Sequence, residues 1–257
     1  MTHLRTARPR EPEPRGPVAA RGRPARCCGG GRRSAPSVGV VRLQGVSGLF
    51  ISFEGGDGAG KSTQLGLLAD SLAAGGHREV VRTREPGGTE LGRTLRDLLL
   101  HGADLDPRTE ALLFAADRAY HVASLIRPAL ARGAAVLTDR YLDSSVAYQA
   151  GGRTLPAEDV ERLSLWATDA LLPDLTVLLD LDPARLSERL TDAPDRLERA
   201  GSEFHARTRQ AFLDRAAADP GRWLVLDATR AREDLAAAIR ARVDALLANQ
   251  VTAGQQR

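Results

Sequence analysis

Lysine is all but missing from this 257-residue chain. Of 36 strong bases only Lys61 is a lysine; the rest are arginines. Cysteine is nearly as scarce, with two, and aromatic residues make up only 4%. Cys27 and Cys28 are adjacent, which excludes a disulfide framework, and no Cys/His cluster has the spacing of a zinc site. That usage fits a reducing cytoplasm, where the protein is expected to reside. No run approaches the ~18 apolar residues that a membrane span needs, so no membrane partner is expected. No N-K-x-D element occurs, which excludes the guanine reader of GTPase switches. No internal repeat is visible.

Basic charge is also lacking where a fold could form. The net charge is +3, but residues 1–42 hold ten arginines against Glu11 and Glu13, so they carry +8 and the remainder −5. The high isoelectric point therefore belongs to the N-terminal segment and is no footprint for nucleic acid, which is not expected as a partner. Residues 1–47 mix six prolines, a Gly triplet and scattered arginines without apolar periodicity. They are expected to form a disordered Arg/Pro/Gly-rich extension, with the folded domain over 48–257. Hydrophobic residues at 42% suffice for that domain's core.

What the chain does have is LFISFEGGDGAGKSTQLGLLADSL at residues 49–72. An apolar run of strand length is followed by G-x-x-x-x-G-K-[ST] and then by an amphipathic segment. Strand, glycine loop and helix in that order are the context that gives the pattern a mechanism. Without side chains at Gly55, Gly56, Gly58 and Gly60, backbone N–H groups can converge on a phosphate. Asp57, Ala59 and Thr63 complete the cradle, although Asp57 also reads as a turn former. Lys61 supplies a compact cation on a flexible stem, a shape that a planar guanidinium does not share. Ser62 can offer its hydroxyl to Mg²⁺. The chain is expected to bind ATP with Mg²⁺.

Downstream, apolar strands alternate with helical patterns. Strands are expected at 49–53, 80–84, 134–138, 175–179 and 223–226. Helices are expected after the loop and at 91–100, 109–132, 144–148, 157–171, from 183, at 203–218 and at 232–248. This alternation predicts an α/β, P-loop NTPase fold: a five-stranded parallel sheet with helices on both faces. Ligands in such sheets gather at the carboxyl ends of strands. The 134–138 strand ends in Asp139-Arg140-Tyr141, an acid placed to hold Mg²⁺ and a guanidinium fork suited to phosphate. Taken alone, this is equally a surface Asp–Arg pair. Phe114 and Arg118, four apart, share one helix face and are able to stack and hydrogen-bond a pyrimidine. On periodicity alone they read as a core ring beside a solvated arginine.

The stretch VLTDRYLDSSVAYQ at 136–149 resembles the thymidylate kinases, P-loop kinases that move the γ-phosphate of ATP onto dTMP. Asp139, Arg140, Tyr141, Ser144, Ala147 and Tyr148 match that family's D-R-[YHF]-x-x-S-x-x-A-[YF] segment. R-E-P-G-G-T at 84–89 and L-F-x-x-x-R at Leu113, Phe114 and Arg118 are two further elements, and the resemblance runs from residue 49 to about 247. It implies transfer from ATP to dTMP giving dTDP, and a homodimer formed through the long helices. It implies that Phe114 stacks on thymine, Arg118 contacts its O4, and Ser144 and Ser145 lie near the base edge. Tyr148 would exclude a ribose 2′-hydroxyl, while Arg84 and Arg140 would grip the acceptor phosphate. Asp57 and Glu85 would stand on the acceptor side, with Ser62 and Asp139 at the metal. Gly58 occupies the position where some members carry an arginine. The resemblance therefore implies a short flexible lid after the fourth strand, at 185–209, and sends the search for transition-state charge to its arginines, Arg189 and Arg196 first and Arg199 next. An arginine so placed is worth about 10³–10⁵ in rate.

Overall fold

The computed structural model describes residues 48–76, 79–153, 155–186 and 196–255. The proposed extension at 1–47 and residues 187–195 of the lid, Arg189 included, lie outside the described residues.

Five strands form a parallel sheet in the order β2-β3-β1-β4-β5. They are β1 Leu49–Glu54, β2 Val80–Arg84, β3 Ala135–Asp139, β4 Leu175–Asp180 and β5 Trp223–Asp227. Every residue of β1 is buried, as a central strand covered on both faces requires. Alternate side chains leave it on opposite faces. Leu49, Ile51 and Phe53 meet Leu65, Leu68 and Leu72 of α1 (Lys61–Ala74) and Leu235, Ile239 and Val243 of α9 (Arg232–Gln255). Phe50 goes the other way, to Val122, Ile126 and Tyr141. Full burial of such a side chain contributes about 1.5–3 kcal/mol. Ser52, on the Phe50 side, is fully buried with its hydroxyl bonded to Thr176 Oγ1 at 3.0 Å. The α/β parallel architecture is as the sequence predicts.

The remaining helices are α2 Glu90–His101, α3 Pro107–His121, α4 Arg127–Ala131, α5 Leu142–Ser145, α6 Ala157–Ala167, α7 Pro183–Leu186 and α8 Ser202–Ala218. Helix α3 opens sharply because Asp106 caps it, accepting from the N–H groups of Arg108 and Thr109, with Pro107 at the first position. Two departures from expectation concern helix type. The single helix expected at 109–132 widens into a π turn at Val122–Ile126, and the short helix expected at 144–148 is α5 running into a π segment, Val146–Gly152. Apolar spacing does not report a change from i−4 to i−5 bonding. The helix expected to reach 171 stops at Ala167, where Asp169 and Ala170 take positive φ of 48° and 53°.

Candidate functional site

At the end of β1 the chain turns through Gly55, at φ +129°, where a Cβ would stand 2.4 Å from the Leu179 carbonyl oxygen of β4. Glycine is required there. Gly60, at φ +96°, is the N-cap of α1, and no side chain caps that helix. Its first-turn N–H groups therefore remain for an anion. Lys61 folds back beneath the loop: its Nζ donates to the carbonyls of Gly56 (2.8 Å) and Gly55 (3.2 Å) and lies 3.7 Å from Asp57 Oδ1. Burial lowers the Lys61 pKa and Arg140 lowers it further, against the opposing pull of Asp57 and Asp139. Ser62 Oγ donates to Asp139 Oδ2 at 2.8 Å, tying the loop to the end of β3.

Arg140, immediately past β3, holds φ at +69°. That left-handed geometry costs a non-glycine residue about 1–2 kcal/mol. Two bonds sustain it: the Arg140 N–H donates to Phe53 O, and Thr138 Oγ1 donates to Arg140 O, both at 2.9 Å. The turn carries the guanidinium to Asp57 (2.7 Å) and Ser144 (3.2 Å), 4.9 Å above the Tyr148 ring. Burial alone would raise the Asp57 pKa, but Arg140 and Lys61 outweigh it and hold this carboxyl well below the usual range.

Glu54, the last residue of β1, is fully buried and accepts from the Tyr141 N–H at 2.8 Å, with Ser144 Oγ at 2.5 Å. Burial, and next the nearby Asp143 charge, push its pKa from 4.5 up to about 8. Its folded pKa lies above its unfolded one, so the folded state binds this proton more tightly. The resulting stability is complete below about pH 4.5 and is lost as pH rises through about 8. Glu54→Gln keeps an acceptor for Tyr141 and a donor for Ser144. Melting temperatures between pH 5 and 9 are expected to fall less with rising pH in this variant than in the wild type, and parallel curves would contradict that assignment.

Beside Glu54 a half-open cavity lies between α3 and the helical segment after β3. Phe114 and Tyr148 form its apolar walls, and Arg118, Ser144 and Ser145 part of its polar lining. Arg118 is only 1% exposed and every arm is committed: Nε to Glu85 at 2.7 Å, one terminal nitrogen to Ser145 at 2.8 Å, the other to Ser164 at 3.2 Å. It is not a solvated helix end. Glu85 is gripped from its other side by His121 Nδ1 at 2.9 Å. Arg84 lies outside this cavity and borders the neighbouring open cleft with Lys61, Ser62 and Asp139. Asp57, Glu85, Arg96 and Arg140 border both spaces.

The structure corrects one lid assignment. Arg196 is buried, with Nε on the Leu99 carbonyl (2.8 Å) and a terminal nitrogen on Glu110 (2.6 Å), and it borders neither the cavity nor the cleft. Glu110 and the Leu99 carbonyl hold it away from the cleft that Lys61 borders. Two residues that the sequence did not single out do line the cavity, Arg96 and Gln149. Arg96 reads as an ordinary surface arginine on an amphipathic helix until Pro86 O is found accepting from it at 3.0 Å. For Gln149 the one available signal was its adjacency to Tyr148.

A sheet whose glycine loop opens on one side to a phosphate-sized cleft, and on the other to an aromatic-walled cavity bordered by the same arginine, defines a P-loop nucleotide kinase. The chain belongs to the thymidylate kinase family, whose model matches residues 53–239. It is 60% identical over 211 residues to the thymidylate kinase of Bifidobacterium longum subsp. infantis, covering 80% of this chain and 90% of that one. It is 59% identical over 207 residues to that of Clavibacter michiganensis subsp. michiganensis, covering 79% and 98%. The crystal structure of thymidylate kinase from Ehrlichia chaffeensis superposes with a TM-score of 0.64 at 34% identity, over 77% of this chain and 98% of that one.

Proposed function

We propose that the protein transfers the γ-phosphoryl group of ATP to dTMP, releasing dTDP and ADP, a step toward dTTP. The observation that carries this reading is the shared border: Arg140 and Asp57 stand where the phosphate cleft meets the aromatic cavity. Phosphoryl transfer needs two anions held in line with their repulsion neutralised. On this reading the loop from Gly55 to Thr63 holds the ATP phosphates, with Lys61 as the mobile charge. Arg140 and Arg84 hold the acceptor phosphate, Asp57 fixes the Arg140 guanidinium, and Glu85 fixes that of Arg118 on the same side. Phe114 stacks on thymine, Arg118 reads its edge, Ser144 and Ser145 border it, and Tyr148 fills the space of a ribose 2′-hydroxyl.

Mg²⁺ fits the oxygens available. Ser62 and Asp139 place two hard donors 2.8 Å apart beside Lys61, and among the described residues no cluster of three or more acids, histidines or cysteines forms a self-sufficient cage. That suits an ion completed by ligands from outside the protein, which Ser62 and Asp139 would hold and which would supply charge neutralisation for the phosphates. With Gly58 in the loop and Arg196 turned to Glu110, Arg189 is the first lid candidate for transition-state charge and Arg199 the second. The kinase domain is read as 48–257, in the cytoplasm.

Coupled ADP-release assays with dTMP, UMP, dCMP, GMP and thymidine test the reading. Turnover is expected with dTMP well above the others; soluble, folded protein inactive with dTMP would overturn it. Tyr148→Ala is expected to narrow the dTMP-to-UMP preference about tenfold or more, since it removes an unfavourable contact with the wrong substrate. An unchanged ratio would take Tyr148 out of the discrimination.

A homodimer is part of the same reading. Leu112, Tyr120 and Trp166 of α3 and α6 stand 57%, 48% and 82% exposed, with Ala116 and Ala123 completing a stripe at helical spacing. Light scattering is expected to give twice the mass of one chain, and Trp166→Glu to shift that toward one.

A further inference from the structure

Glu110 is a buried carboxylate on α3, 0% exposed, that the phosphoryl chemistry does not use. Three side chains converge on it. One oxygen takes Arg196 at 2.6 Å and Arg153 at 3.3 Å, and the other takes Gln149 Nε2 at 3.1 Å. A carboxylate ion-paired with two guanidinium groups has only lone pairs to offer. Gln149 must therefore turn its NH₂ toward it, and the network, not the shape of the amide, decides which end points where. Gln149 is 1% exposed and lines the cavity that holds Phe114 and Arg118. With its nitrogen committed to Glu110, the carbonyl oxygen is the end of the amide left for that cavity.

We propose that Glu110 is a specificity-determining positioning residue: it locks the Gln149 amide so that this wall of the cavity is a hydrogen-bond acceptor. Such a wall matches a pyrimidine that carries an N–H on its ring edge, as thymine and uracil do. It mismatches cytosine, whose ring nitrogen presents a lone pair at the same place, and two acceptors facing each other in a buried site are costly to both. Arg196 belongs to this device. By occupying the far oxygen of Glu110 it keeps the carboxylate paired and fixed.

The inference rests on the cavity being the dTMP base site, which wild-type turnover with dTMP tests separately. Glu110→Gln replaces a pure acceptor by a group that donates as well as accepts, which releases the Gln149 amide to turn over. In this variant the dTMP-to-dCMP ratio of kcat/KM is expected to fall about tenfold or more, chiefly through a lower KM for dCMP. The dTMP-to-dUMP ratio is expected to hold, because both bases show the same N–H. A merely structural role would weaken all three nucleotides together. Should Glu110→Gln fail to fold, the double variant Glu110→Met with Arg196→Met removes the buried 2.6 Å pair together, leaves the partly exposed Arg153 to water, and frees the same amide. In either folded variant, an unchanged dTMP-to-dCMP ratio, or an equal fall in the dTMP-to-dUMP ratio, overturns the proposal.

Discussion

Lys61→Met is expected to lower kcat with ATP and dTMP by about 10³-fold while the circular dichroism spectrum stays that of the wild type. Methionine keeps the length and apolar stem of lysine and deletes only the ammonium. That ammonium is held in the free protein by the carbonyls of Gly55 and Gly56, weak partners that a phosphate would readily replace. Its burial already disfavours the charge, an effect that Asp57 at 3.7 Å only partly offsets, so an incoming phosphate adds neutralisation that the site lacks. Every other strong base of the chain is an arginine, and none has the compact donor shape that fits under the loop. A kcat within tenfold of the wild type would mean that the transferred phosphate is neutralised elsewhere.

Arg140→Ala is expected to act on the other substrate. Losing a guanidinium that joins Asp57, Ser144 and the face of Tyr148 should reduce kcat/KM for dTMP by about 10²–10³-fold, with KM for ATP changed far less. Arg140→Lys should recover little of it, because an ammonium cannot span Asp57 and Ser144 as a fork does. Steady-state titration of each substrate at saturating levels of the other separates the two effects. An equal rise in both KM values would argue for a collapsed loop and against an acceptor-side role.

The parts of this molecule legible in its sequence are those whose cause is local. The glycine loop declares itself because Gly55 and Gly60 answer to backbone geometry, and the buried strands because a sheet covered on both faces demands unbroken apolar runs. Asp139 and Arg140 were legible because strand ends are where ligands gather. Phe114 and Arg118 were ambiguous on spacing alone; burial of Arg118 against Glu85, Ser145 and Ser164 depends on three segments distant in the chain. The same limit hid Arg96, Gln149 and the two π turns. It also misdirected Arg196, whose partner Glu110 lies 86 positions earlier.

The setting of Lys61 has a practical consequence. A chain with a single ε-amine, placed under its phosphate loop, is in effect self-labelled for acylation chemistry. Apart from the α-amine, a lysine-directed reagent has one place to react. An increment located at Lys61 therefore reports on that loop, and its loss in the presence of nucleotide would read out occupancy of the donor cleft without any assay of turnover.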